Sequence, residues 1–178
     1  RDSIHWVLRC APPVSLHPLR ERKLYLAGKG AAEVEALAEE FCRTELCPRL
    51  SAQGLSRMDE HRRAGHHIVL VTGSLDFLIA PLAALLEVPT LLAARLEQQE
   101  RQFTGHVCAP LPYGPGKREL IARLTRDSGI DLAQSFAYGD SPGDVELLEM
   151  VGHPLVVNPI RGMDRIAQRN GWPMTTWT

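Results

Sequence analysis

The sequence predicts an α/β fold, a Rossmann-like parallel sheet core covered by helices and joined to a small helical lobe, on three observations. From residue 51 onward short apolar runs alternate with amphipathic segments, which is the pattern of a parallel sheet with helices on its faces. Ile68-Val69-Leu70-Val71-Thr72 is an unbroken and largely β-branched run, as expected of a strand buried on both faces. Upstream, Val34, Leu37, Ala38, Phe41 and Cys42 recur at three- and four-residue spacing, so helix dominates there. The chain therefore divides into a helical lobe at 1–50 and an α/β core at 51–178.

Taken in order, Ala11-Pro12-Pro13 and Pro18 break the first part of the lobe, and Gly28-Lys29-Gly30 punctuates the approach to a helix over 31–46. A polar helix over 55–64 leads into the strand at 68–72, which Gly73 ends. A helix over 75–86 and a strand over 90–94 follow, and residues 97–101 and 103–105 form a hairpin or a flap. After Pro115-Gly116 the pattern gives a helix over 117–127, a strand over 135–138, a helix over 142–150 and a strand over 154–157. A helix over 161–169 and an edge strand over 172–177 close the fold.

At 178 residues the chain can hold one core and one accessory lobe, and its 44% hydrophobic and 23% charged content is that of an ordinary globular protein, which excludes a disordered or fibrous chain. Twenty basic residues against twenty-one acidic ones leave a formal charge of -1, so there is no broad attraction for nucleic acid or for an anionic membrane surface. The most apolar stretch, 77–94, is interrupted by Pro81, Glu87 and Pro89 and falls short of the roughly 20 apolar residues of a membrane span. Cys10, Cys42, Cys47 and Cys108 form no C-x-x-C pair and read as buried, inert, reduced thiols of a cytoplasmic protein. His61, His66 and His67 lack convincing ligand partners and read as surface residues. Trp6, Trp172 and Trp177 read as packing residues.

The sharpest motif is Gly139-Asp140-Ser141-Pro142-Gly143-Asp144, directly after a buried strand and at the start of a helix. Ligand sites of open α/β sheets lie beyond the carboxyl ends of the strands, so Asp140 and Asp144 are placed to act together. Hard carboxylate oxygens there suit Mg²⁺, which takes one or two protein carboxylates plus waters and substrate phosphate. The plainer alternative is that Asp140 caps the helix and Asp144 favours its positive end. Thr72, Gly73 and Ser74 end the first strand, where a hydroxyl and two backbone N–H groups face the same crevice and can hold a phosphate. Packing explains a strand threonine equally well. Lys117 opens a helix, where the dipole disfavours a cation unless it serves an anion, the alternative being a solvated surface lysine. Gly114 to Arg118 is not a P-loop, because Leu111 stands where the first glycine belongs and Arg118 where the metal-binding hydroxyl belongs.

Thr72, then Lys117, then Asp140 with Asp144, each at the edge of its element, resembles the second, third and fourth motifs of the haloacid dehalogenase superfamily. The ending Val156-Val157-Asn158-Pro159 with Gly171-Trp172 is similar to its phosphoserine phosphatase-like branch. The resemblance runs from about residue 51 to the C-terminus. It implies that Thr72 and its loop bind a transferring phosphoryl group, that Lys117 neutralises it, that Asp140 ligates Mg²⁺, and that Asp144 supports the metal's waters and the lysine. It further implies a small phosphorylated substrate, hydrolysis through an aspartyl-phosphate, and a cap made by the helical lobe that shields the site from water.

The family's first motif, a strand ending Asp-x-Asp-x-Thr that supplies the nucleophile, is absent, since no Asp-x-Asp occurs in the sequence. Asp2-Ser3 resembles residues a few positions after that motif, and Arg1 is not a natural start, so the nucleophile is expected upstream and the chain as given is expected to be inactive. In the family that strand lies centrally, between the strands at 68–72 and 135–138, so a gap is expected there. The rival reading is a non-catalytic phosphate-binding or regulatory domain. A metal-free dehalogenase is disfavoured by the paired aspartates.

Overall fold

The computed structural model describes residues 22–178, so expectations on Asp2, Trp6, Cys10 and the first part of the lobe lie outside the described residues. After a single 3₁₀ turn at Leu24–Leu26 comes helix α1 (Ala31–Phe41), which runs into a π-helical turn at Cys42–Leu46 and a 3₁₀ turn at Cys47–Arg49. The single helix expected over 31–46 thus changes register near its end. Helix α2 (Ala52–Arg63) starts earlier than its apolar pattern suggests, because the Ser51 hydroxyl accepts a hydrogen bond from the Gly54 N–H (3.3 Å) and caps it.

Strand β1 (Val69–Leu75) continues past Gly73, the expected end, because Leu75 re-pairs with Ala94 after an irregularity in the register. It runs parallel to β2 (Thr90–Ala94), and α3 (Asp76–Leu85) connects them with Pro81 inside it. The expected hairpin or flap is an antiparallel hairpin of β3 (Leu96–Gln99) and β4 (Gln102–Val107). Its backbone joins residues 22–31 through Lys23 N–H to Gly105 C=O (2.6 Å), Gly28 N–H to Phe103 C=O (2.8 Å) and Ala31 N–H to Arg101 C=O (2.9 Å). Phe103, 2% exposed, packs there with Ala31, Leu75, Ala94 and Leu96 in one apolar cluster.

Helix α4 (Pro115–Ser128) ends at Gly129, whose left-handed backbone (φ 69°) closes the C-terminus through a bond to the Thr125 carbonyl. Strands β5 (Phe136–Gly139), β6 (His153–Val157) and the short β7 (Met174–Thr175) form a parallel three-stranded sheet. The helix expected over 142–150 is a 3₁₀ turn at Pro142–Asp144 followed by α5 (Val145–Leu148), and α6 (Met163–Asn170) precedes β7. Ala137, Leu148, Val156, Met163 and Ala167 make a second apolar cluster, against which Trp172 packs.

Two half-sheets result: β1 with β2, and β5 with β6 and β7. Among the described residues β1 pairs only with β2 and β5 only with β6, so no ladder joins β1 to β5. Between them lies an apolar slot of about 610 Å³, lined by Val69, Leu70 and Val71 on β1, by Phe136, Ala137 and Tyr138 on β5, and by Ile121 and Leu124 of α4. At its rim, nitrogens of His61 lie 2.8 Å from His66 Nδ1 and 2.6 Å from the Tyr138 hydroxyl. Burial, then the charges of His66 and Arg57, lower the pKa of His61. No helix among the described residues is long and apolar enough to cross a membrane.

Candidate active site

A crevice of about 460 Å³ opens beyond the carboxyl ends of β1, β5 and β6. It gathers Val71, Thr72 and Gly73 from β1, Lys117 from α4, Tyr138 to Ser141 from β5 and its following turn, and Asp144. Five of the residues singled out by sequence, Thr72, Gly73, Lys117, Asp140 and Asp144, line it together. Ser74 does not: its backbone N–H turns back to donate to Thr72 Oγ1 (3.1 Å). That bond occupies a lone pair of Thr72 and leaves the hydroxyl hydrogen to point elsewhere.

Lys117 is 5% exposed, buried instead of solvated at the surface. It reaches the crevice because α4 begins with Pro115, pre-set for a first helical turn, and because Gly116 lets that turn lie against the Leu111 carbonyl, with which any Cβ would collide. Its ammonium donates to Asp144 Oδ1 in a buried ion pair. The other Asp144 oxygen, Oδ2, accepts from the Asp140 N–H (3.2 Å), the Ser141 N–H (3.2 Å) and the Ser141 hydroxyl (3.1 Å). Ser141 and Asp144 thus form a reciprocal capping box, so the residue that caps the turn is Ser141 and not Asp140. Burial pushes the Asp144 carboxyl up, but the Lys117 ammonium and the Ser141 donors outweigh it and hold its pKa below the ordinary value.

Asp140 differs from Asp144 in every respect that matters chemically. It is exposed at the mouth of the crevice, and its carboxylate has no partner among the described residues. Of the two carboxylates expected at a metal, Asp140 is therefore open to ligate one, whereas both oxygens of Asp144 already accept hydrogen bonds. One open carboxylate fits Mg²⁺, which completes its shell with waters and substrate phosphate. No group of three or more His, Cys, Asp or Glu side chains is placed to hold a metal by itself among the described residues.

Gly139 fixes the close approach of the two sides of the site. A Cβ at that position would lie 2.6 Å from Asp144 Cβ, so only glycine lets Asp144 reach back over the strand end. Tyr113, Tyr138 and Asn158 line the crevice without having been expected as site residues, although Asn158 stands in the run that carries the family resemblance. Asn158 directly follows the β6 run, a position that did mark it, but its amide is engaged: Nδ2 donates to the Trp177 carbonyl and Oδ1 accepts from the Trp177 N–H, both at 2.9 Å. Tyr113 carries no such signal, because the loop after β4 brings it in.

Fold and crevice together define a Rossmann-like α/β domain with its polar site at the strand ends. The chain belongs to the haloacid dehalogenase-like hydrolase family, whose model matches residues 15–149. A probable phosphatase of Mycobacterium tuberculosis (strain ATCC 25618 / H37Rv) is 32% identical over 152 residues, covering 85% of this chain and 53% of the relative. A phosphoserine phosphatase of the same strain is 28% identical over 155 residues, covering 86% and 50%. A solved structure of a Bordetella pertussis Tohama I protein superposes with a TM-score of 0.81 at 30% identity, covering 97% of this chain and 79% of that one. The chain spans about half the length of the curated relatives it matches.

Proposed function

We propose that the crevice binds the phosphoryl group of a small phosphomonoester together with Mg²⁺, and that it serves a phosphatase whose attacking carboxylate arrives on a strand lying in the slot between β1 and β5. The observation that carries this reading is the convergence of Thr72, buried Lys117 and open Asp140 in one crevice, at the carboxyl ends of β1 and β5 and the N-terminal turn of α4. The Thr72 hydroxyl and the Gly73 N–H bind phosphoryl oxygens, with Ser74 orienting the hydroxyl through its own N–H. Lys117 offsets negative charge and is held in place by Asp144. Asp140 holds the metal, which when bound supplies charge neutralisation to the phosphoryl oxygens. A crevice of about 460 Å³ suits a small metabolite. The likeness to enzymes named as phosphatases supports the same reaction class. The free thiols of Cys42, Cys47 and Cys108 support a reducing, cytoplasmic setting.

The slot supports the manner of delivery. A strand laid there parallel to β1 and β5 pairs with both open edges and ends beside Thr72 and Asp140, where an aspartate at its tip faces the phosphorus. Attack forms an aspartyl-phosphate and expels the alcohol, and water then hydrolyses the acyl phosphate to release inorganic phosphate. The chain itself contains no Asp-x-Asp, so the residues present bind phosphate and lack the nucleophile.

The test is Mg²⁺-dependent hydrolysis of p-nitrophenyl phosphate by this chain alone and with an apolar strand ending Asp-x-Asp-x-Thr added at its N-terminus, with Asp140→Asn as control. Activity only in the extended protein, abolished by Asp140→Asn, is expected. Inactivity of both, with inorganic phosphate still bound, replaces this reading with a non-catalytic phosphate-binding domain. Activity of the short chain overturns the assignment of the nucleophile.

A further inference from the structure

Cys42 and Cys47 are five residues apart, a spacing that in an α-helix puts two side chains on different faces. Here the turn between them is π-helical: the Cys47 N–H donates to the Cys42 carbonyl, and this i to i+5 register stacks residue 47 over residue 42. The two sulfurs consequently lie 3.8 Å apart. Cys42 is 4% exposed, whereas Cys47 is half-buried and open to solvent on one side. Of the burial expected from sequence for these thiols, only that of Cys42 is found among the described cysteines, and Cys108 is exposed.

We propose that Cys42 and Cys47 form a redox-active dithiol that a hydroperoxide converts into an intramolecular disulfide. Cys47 reacts first because it is the accessible member. Its thiolate sulfur attacks the terminal peroxide oxygen, the O–O bond breaks, the alcohol or water leaves, and Cys47 becomes a sulfenic acid. The Cys42 sulfur then attacks the Cys47 sulfur, the S–O bond breaks, and the departing hydroxide takes the Cys42 proton and leaves as water. Two thiols are oxidised by two electrons and one peroxide is reduced. Burial, and then the neighbouring Cys47, raise the Cys42 pKa, which keeps Cys42 a thiol until its partner is activated. Closing the bond needs the sulfurs to move from 3.8 Å to about 2.05 Å, a rotation of side chains that the turn already holds in register. The cross-link locks the π turn, which packs on α3, the helix that follows the Thr72–Ser74 segment.

Arg43 lies between the two cysteines, which makes the test direct. Trypsin cuts after Lys29, Arg43 and Arg49, so peptides 30–43 and 44–49 separate unless a disulfide joins them. The chain, treated with hydrogen peroxide and then alkylated, is expected to lose two of its four titratable thiols and to yield those two peptides joined, with the pair released by reductant. In Cys47→Ala, Cys42 is expected to remain reduced at the same peroxide dose. Separate peptides with both cysteines alkylated, or each cysteine oxidised singly, overturn the proposal. So does oxidation of Cys42 in Cys47→Ala at the rate of the unaltered chain.

Discussion

The site's geometry turns on two residues, the ion-paired Lys117 and Asp144. Both groups are nearly buried, at 5% and 9% exposure, so removing one leaves the other charged without its partner. Asp144→Ala is expected to lower unfolding free energy by about 3–5 kcal/mol, read from the urea midpoint. Asp140→Asn should change it by less than about 0.5 kcal/mol, because that carboxylate is exposed and holds nothing. Phosphate and Mg²⁺ binding should instead fall. The depressed pKa of Asp144 carries a sign: its contribution is fully present above the ordinary carboxyl value of 3.8 and is lost as pH falls through the lower folded value. Urea midpoints measured from pH 6 down to pH 2.5 should drop below about pH 4, and the drop should be smaller in Asp144→Ala. These residues were legible in the sequence because each stands at the edge of a strongly patterned element. What was not legible is the division of labour between Asp140 and Asp144, which depends on which carboxylate the turn folds inward. Spacing along the chain is silent on that.

At the scale of elements, α4 and α5 act as a clamp. Arg118 on α4 donates to Glu146 (2.7 Å) and to Glu149 (2.9 Å), and one residue earlier Lys117 holds Asp144. The exposed arginine pairs contribute little each, so the apolar contact beneath must set the position of the helix. Leu148 of α5, fully buried with Ala137, Val156, Met163 and Ala167, anchors α5 on the sheet, and Leu148→Ala is expected to cost about 2–5 kcal/mol in urea denaturation. Gly139→Ala places a Cβ 2.6 Å from Asp144 Cβ and should cost about 1–3 kcal/mol while weakening phosphate binding, since Asp144 must move. Strand and helix order read correctly from the alternation of apolar runs. The hairpin's partner did not, because the hairpin meets residues 22–31 through backbone bonds across about seventy to eighty residues of chain, and local pattern carries no information on such a meeting. The change from α to π register at Cys42 is likewise invisible to periodicity over so short a run.

Among the described residues the sheet is divided in two. One apolar cluster joins α1, β1, β2 and the hairpin, the other joins β5, β6, α5 and α6, and the two share no residue. With no ladder between them among the described residues, the two half-sheets have no continuous run of backbone bonds to transmit the loss of one half to the other. The two halves should accordingly behave as separate cooperative units, and amide hydrogen exchange is expected to sort the strands into two protection classes, β1 with β2 and β5 with β6, each with its own opening free energy. A strand seated in the slot would bond to both edges and fuse the two classes into one, so the exchange pattern reports occupancy of the slot whether or not any chemistry follows.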